Sequence, residues 1–189
     1  KRRKLFPEYK ANRKVRKRLT RLNSFSSQED ESVSMKNQIQ RLTQYLDTLP
    51  ITVIAPENIE ADDAMAYISQ QIYPKSHVYI MSTDKDFLQL VDDRLQVWSP
   101  TKKKYYFKNT VNEDFEIPAH NYLLYRTMKG DPSDNIPGIK GVGVKTLKKR
   151  LPILFDDKKI TIEDLLDYVK NTDDTSKVIK EISDSEDMI

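Results

Sequence analysis

From Ile51 to Leu151, short β-branched or aromatic runs alternate with stretches whose apolar residues recur every three or four positions. That alternation restricts the chain more than any other feature. Strands separated by helices are expected to run mainly parallel, with the helices packed on their faces. Ile51-Thr52-Val53-Ile54, halted at Pro56, and Val78-Tyr79-Ile80-Met81 read as buried strands. Between them, Ala61, Ala64, Met65 and Ile68 define the inner face of a helix from Glu60 to Ile72. A short helix is expected from Asp86 to Val91. Leu95-Gln96-Val97-Trp98 and Tyr105-Tyr106-Phe107 then flank Pro100-Thr101-Lys102-Lys103 as a hairpin. Helical spacing returns from Ala119 to Met128, breaks at Gly130 and resumes from Val144 to Leu151. The pattern predicts an α/β core with a mainly parallel sheet flanked by helices.

The flanks are plainer. Val15, Leu19 and Leu22 have helical spacing within an almost wholly basic stretch. Asn23 to Ser34 is rich in Ser, Gln and Glu without hydrophobic periodicity and reads as a mobile linker within a larger loop. Met35, Ile39, Leu42, Leu46 and Leu49 mark one face of a helix that ends before Pro50. Ile162, Leu165, Leu166 and Val169 mark a further amphipathic helix, and the remainder, through Ser183 to Asp187, reads as frayed.

Composition removes several classes of function. Cysteine is absent and there are two histidines, which excludes a disulfide scaffold and leaves no thiolate or imidazole cage for zinc. No apolar run is long enough for a membrane span and none near Lys1 resembles a signal peptide, so a cytoplasmic protein without membrane contact is expected. The net charge of +3 conceals a strong polarity. Residues 1–21 carry eleven Lys or Arg against the single acid Glu8, whereas residues 156–189 carry eleven acids against five bases. A basic front on a small chain suits a polyanionic partner, although a solvated arm with no dedicated ligand fits the charge alone.

Three acidic clusters could carry chemistry: Glu60-Ala61-Asp62-Asp63, Ser82-Thr83-Asp84-Lys85-Asp86 and Gly130-Asp131-Pro132-Ser133-Asp134-Asn135. The first two follow expected strands, where sites gather in open α/β sheets. Any one cluster could be a helix cap or a turn. Together they hold more carboxylates than caps need, and a divalent cation relieves such crowding of like charge. All-oxygen donors point to Mg²⁺ or Mn²⁺. Gly138, Gly141 and Gly143 are three of the chain's four glycines and form a tight turn between helices, beside Lys140, Lys145, Lys148, Lys149 and Arg150. Such a turn can seat a phosphate on its backbone N–H groups, or simply reverse the chain.

With Phe6-Pro7-Glu8-Tyr9-Lys10-Ala11-Asn12-Arg13 placed ahead of these stretches, the order resembles the flap endonuclease and 5′-nuclease superfamily. The resemblance covers roughly residues 1–150 and is nearest to the phage enzymes and the 5′-nuclease domain of bacterial DNA polymerase I. It implies a PIN-like nuclease core over residues 1–118 with a helical arch over 10–46, a helix–three-turn–helix DNA-binding region over 119–155, and an acidic helical tail over 156–189. Glu60, Asp62, Asp63, Asp84, Asp86 and Asp134 would surround two Mg²⁺ or Mn²⁺ ions, with Asp131 as an outer ligand. Tyr9, Lys10 and Arg13 would meet the scissile phosphate at the foot of the arch, Lys10 stabilising transition-state charge. Arg16 and Lys17 would guide a single strand. Gly138, Lys140, Gly141, Gly143, Lys145, Thr146, Lys148 and Lys149 would grip duplex backbone, where relatives hold a K⁺ ion on carbonyl oxygens.

The function so implied is metal-dependent cleavage at 5′ ends or 5′ flaps of DNA, or of RNA–DNA primers beside replication proteins. A non-catalytic duplex-binding module that keeps the hairpin and basic arm is the alternative; a protein-contact scaffold with its carboxylates as caps is a third. The family pattern also has a strand bearing a metal-binding Asp, and a further Asp before the arch, both upstream of Lys1. Alone, the 189 residues are therefore expected to be loosely packed and weakly active.

Overall fold

In the computed structural model, which describes residues 2–11, 25 and 27–184, three strands form where β-branched and aromatic residues run together. β1 (Val78–Met81) pairs in parallel with β2 (Leu95–Ser99), setting Ile80 opposite Val97, and β3 (Lys104–Tyr106) returns antiparallel to β2. The helices in chain order are α1 (Arg2–Leu5), α2 (Gln28–Leu46), α3 (Ala61–Tyr67), α4 (Lys108–Phe115), α5 (Tyr122–Lys129), α6 (Val144–Arg150), α7 (Ile162–Asn171) and α8 (Lys177–Asp184). The architecture is α/β as expected, with a small mixed sheet of order β1-β2-β3 flanked by helices. No helix among the described residues is long and apolar enough to cross a membrane.

The chain divides into two compact units, residues 1–12 with 62–189 and residues 13–61. In the larger unit, alternation along the strands sends Ile80, Leu95, Val97 and Tyr106 inward. They join one apolar cluster with Val111, Ile117, Tyr122, Met128, Leu147, Leu151, Leu154, Leu165 and Ile182. The opposite face of the sheet carries Tyr79, Met81, Trp98 and Tyr105. Tyr105 stands 4.6 Å from the Trp98 ring and meets Tyr79 edge-on at 6.2 Å. Asn121, buried between helices, donates to the carbonyls of Leu154 at 3.0 Å and Lys158 at 3.1 Å and accepts from Ile160 N at 2.9 Å. Those bonds satisfy the side chain and fix the entry to α7.

Five local expectations need correction. Ile51 to Ile54 is not a strand; the run is exposed, and its unit contains no strand among the described residues to complete a ladder. The linker expected over Asn23 to Ser34 is helical from Gln28. Ser27 accepts from Asp30 N at 3.1 Å, and Glu29, Asp30 and Glu31 complement the helix dipole, so capping rather than periodicity starts α2. The earlier part of that linker is described only at Phe25, and the basic helix expected over Lys14 to Leu22 lies outside the described residues. The helix after Glu60 is regular only to Tyr67 and widens into a π-turn over Ile68–Ile72, and the turn after Asp84 is a 3₁₀ helix, Lys85–Leu90. The acidic tail is also not frayed up to Asp184, because α8 packs on α7 and buries Ile179 and Ile182. α7 itself starts at a reciprocal cap between Thr161 and Asp164, at 3.1 and 3.0 Å.

Gly130 and Gly138 are required by packing. Their backbones cross where Asp131 bridges Ile136, and a Cβ on Gly138 would strike the carbonyl of Lys129. Gly141, at φ +77°, and Gly143 have open space where a Cβ would go.

Two predictions follow from this packing. Gly138→Ala should cost about 2 kcal/mol or more, Gly141→Ala about 1 kcal/mol through its positive φ, and Gly143→Ala almost nothing. Urea unfolding of the three variants would contradict the assignment if their order were different. Ile182→Ala should cost about 2–4 kcal/mol, and a thermal melt unmoved by it would mean that α8 is not part of the core.

Candidate functional site

The polypeptide leaves β1 directly into the second acidic cluster. Ser82 Oγ accepts from Asp84 N at 3.1 Å, and Asp84 Oδ1 accepts from Asp86 N at 2.9 Å, so Asp84 caps the 3₁₀ helix that follows it. Asp86 turns inward. Its Oδ1 takes a hydrogen bond from Arg126 Nη2 at 3.0 Å, and the same nitrogen donates to Asp131 Oδ2 at 2.8 Å. Arg126 lies in the last turn of α5, and Asp131 follows the Gly130 cap. Asp131 Oδ1 in turn accepts from Ser133 N at 2.9 Å and Ser133 Oγ at 2.6 Å, which sets the loop toward Asp134.

The N-terminal segment is fastened to that loop. Lys10 N donates to the Asp134 carbonyl at 2.7 Å, and Asn135 Nδ2 donates to the Glu8 carbonyl at 3.0 Å. Lys10 and Asn135 both adopt the left-handed conformation, at φ 58° and 61°. Lys10 Nζ is 3.8 Å from Asp134 Oδ2 and 4.6 Å from the centre of the buried Tyr9 ring. Arg2 donates to Tyr9 OH at 3.0 Å and pairs with Asp63 at 2.7 Å. Asp62 Oδ1 accepts from Asp63 N at 3.1 Å, at the start of α3. A chain of contacts thus runs from Asp63 through Arg2, Tyr9, Lys10, Asp134 and Asp131 to Arg126 and Asp86.

Of the expected catalytic and metal residues, this arrangement brings together Tyr9, Lys10, Asp63, Asp86, Asp131 and Asp134, with Asp62 and Asp84 beside them in sequence. Glu60 lies just before α3, in the smaller unit. Arg13, Arg16 and Lys17 lie outside the described residues. Sequence reasoning missed Arg126 and Arg2. Arg126 interrupts a helix face otherwise made of Tyr122, Leu124, Tyr125 and Met128, and a cation so placed five residues before Asp131 was a readable signal. Arg2 was hidden within a uniformly basic run.

Among the described residues no three carboxylate or imidazole groups converge on one point. The donors are hard oxygens and suit Mg²⁺ or Mn²⁺ in kind, while Arg126, Lys10 and Arg2 offset part of their charge within the chain. Charges perturb one another accordingly. Burial raises the Asp86 carboxyl above its ordinary 3.8, with Asp84 and Asp131 adding to it against the pull of Arg126. For Asp131 burial also opposes ionisation, but the Ser133 bonds and Arg126 outweigh it and hold its carboxyl below the ordinary value. Burial works against the Arg126 charge, and Asp86, Tyr122 and Asp131 more than restore it.

At the hairpin, Ile139 N donates to the Met128 carbonyl at 2.8 Å and ties the turn to α5. Gly138 serves that packing, whereas Gly141 and Gly143 face open space ahead of α6. Lys140, Lys145 and Lys149 are exposed, and Thr146 Oγ1 approaches the Gly141 carbonyl at 3.4 Å. Two of the basic residues gathered there are held internally: Lys148 pairs with Glu116 at 2.9 Å and Arg150 with Asp174 at 3.1 Å.

A sequence profile for the 5′-3′ exonuclease N-terminal resolvase-like domain matches residues 1–116. The chain belongs to that family. DNA polymerase I of Mycobacterium bovis is 36% identical over 149 residues, which cover 76% of this chain and 15% of that protein. A 5′-3′ exonuclease of Buchnera aphidicola (subsp. Acyrthosiphon pisum) is 32% identical over 146 residues, covering 77% of this chain and 46% of its own length. The chain therefore spans less than half of either curated relative. Among solved structures, a phage T5 protein crystallised with metal ions superposes with a TM-score of 0.73 at 24% identity, covering 99% of this chain and 66% of that one. The T5 flap endonuclease in complex with DNA and metal ions gives 0.72 at 23% identity, covering 99% and 65%. At that identity the two superpositions establish the fold, and the exonuclease family's α/β core is the one described above.

In the metal-free protein the two carboxylates affect stability with opposite signs. Asp131, with its folded value lowered, adds stability that is present above its unfolded value of 3.8 and is lost as pH falls through the folded one. Asp86 has the opposite sign: its ionised form costs stability, and protonation relieves that cost as pH falls. A carbon-detected carboxyl titration should therefore show Asp86 protonating at higher pH than Asp131, and the reverse order would contradict the geometry.

Proposed function

We propose that this chain is the nuclease portion of a divalent-metal-dependent 5′-nuclease, hydrolysing phosphodiesters at 5′ ends or 5′ flaps of DNA. The observation that carries this reading is the fastening of Tyr9 and Lys10 onto the Asp131–Asn135 loop, which sets a cation and an aromatic ring beside carboxylates in a 5′-3′ exonuclease fold. The T5 flap endonuclease, solved with DNA and metal ions, shares the fold and supports the substrate class.

Asp62, Asp63, Asp84, Asp86, Asp131 and Asp134 are the residues that would hold two Mg²⁺ or Mn²⁺ ions. The chemistry supplied by ions held there would be activation of a water and stabilisation of charge on the departing oxygen. Lys10 supplies a fixed positive charge, held by the Tyr9 ring and Asp134, for the phosphate undergoing attack. Arg13, Arg16 and Lys17 would guide the single strand. Backbone N–H groups around Gly141 and Gly143, with Lys140, Lys145, Thr146 and Lys149, would hold duplex phosphates, and Lys148 would join them on leaving Glu116. Carbonyl oxygens of the same turn would hold a K⁺ ion. Phosphate contacts of this kind ignore base sequence, so RNA–DNA primers fall within the same reading and would place the protein beside replication proteins.

A second reading has a specific observation in its favour. Arg126 and Arg2 already occupy carboxylates, which suits a duplex-binding module that does not cleave. Metal-dependent cleavage separates the two. Asp84→Ala or Asp134→Ala should abolish Mg²⁺-dependent cutting of a 5′-flap duplex while leaving duplex affinity within about threefold, because phosphate contacts carry the binding. Lys145→Ala should instead weaken every duplex alike and flatten the salt dependence. Wild-type protein that binds duplex but cuts nothing in Mg²⁺ or Mn²⁺ would favour the binding module.

A further inference from the structure

Arg126 bridges two of the expected metal-binding carboxylates. Its Nη2 reaches Asp86 Oδ1 at 3.0 Å and Asp131 Oδ2 at 2.8 Å. Arg126 and Asp131 are each about one-fifth exposed at the side chain, so that contact escapes much of the solvent screening that weakens surface pairs, whereas Asp86 is 43% exposed and its contact is screened more. Asp131 spends its other oxygen on Ser133, and among the described residues Arg126 alone bonds the Asp86 carboxylate. The guanidinium therefore takes one oxygen of each acid and brings the positive charge that crowded carboxylates require.

We infer that Arg126 is a built-in counter-ion that competes with divalent metal for Asp86 and Asp131, so that metal uptake and release of Arg126 are one event. This rests on the proposal that these carboxylates bind metal. The physical argument is charge. A divalent ion held by Asp86 or Asp131 repels a guanidinium 3 Å from the same oxygens, and both cannot be held at full strength. The competition gives the metal-free protein a partly compensated acidic cluster and makes occupancy depend on metal concentration. On release, Arg126 becomes a cation beside the site, available to a phosphate oxygen with the planar, two-pronged geometry that suits phosphate.

Binding measurements without DNA test this directly. Mn²⁺ affinity, read from the free-ion electron paramagnetic resonance signal, should be roughly fivefold tighter in Arg126→Gln than in wild type, since a competing pair of that exposure is worth about that factor. Arg126→Lys, which keeps the charge, should stay close to wild type and controls for disturbed packing. In wild-type protein labelled with ¹⁵N-arginine, the Arg126 guanidinium protons should be protected from exchange without metal and lose that protection as Mg²⁺ is added. Mn²⁺ affinity equal or weaker in a folded Arg126→Gln, or Arg126 protons indifferent to saturating Mg²⁺, overturns the inference and leaves metal binding intact. Failure of wild type and variant alike to bind Mn²⁺ removes both the metal reading and this inference.

Discussion

One nitrogen of Arg126 holds Asp86 and Asp131 together, and the arrangement of the larger unit around its acidic loops depends on that contact. Asp86 belongs to the turn leaving the sheet; Asp131 belongs to the loop leaving α5. Two partly buried carboxylates brought to one place would push those elements apart, and the guanidinium reverses the sign of the interaction. From Asp131 the connection runs through Ser133 to Asp134 and then to Lys10, so the N-terminal segment is positioned by the same network. Partly exposed ion pairs contribute on the order of 1 kcal/mol or less each. Their main effect here is therefore geometric: they set which loops face each other, while apolar burial stabilises the fold.

What could be read from the sequence divides along the range of the interactions involved. β1, β2 and β3 were legible because their partners lie within thirty residues and their side chains alternate between core and open face. The run at Ile51 has the same β-branched character, yet nothing among the described residues of its unit pairs with it, and residue type alone does not make a ladder. α2 begins earlier than hydrophobic spacing suggests because Ser27 and three acids start it. The tail was misread for the opposite reason: its acids suggested disorder, while Ile179 and Ile182, four and seven residues from Thr175, were enough to dock a helix. The acidic clusters were found by composition and resemblance. Their pairing with Arg126 and Arg2 was not, since both pairs depend on contacts that no local pattern encodes.

The glycines show one motif carrying two physical demands. Gly138 admits the backbone of Lys129 and Gly130, so its requirement is steric and internal. Gly141 supplies a positive φ, and Gly143 contributes only the absence of a side chain ahead of α6. From sequence the three looked equivalent. Only the latter two leave backbone open to a ligand, whereas the first keeps the turn attached to α5.

Trp98 is the chain's single tryptophan, and its carbonyl accepts from Ser82 N at 3.0 Å at the point where β1 gives way to the acidic turn. Its ring lies half-buried against Tyr105 on the open face of the sheet. The molecule thus has an intrinsic fluorophore one hydrogen bond from the start of that turn, with tyrosines close enough to feed it excitation energy. Rearrangement of the turn that disturbs the Ser82 bond would change its emission, so events at the carboxylates can be followed optically in unlabelled protein.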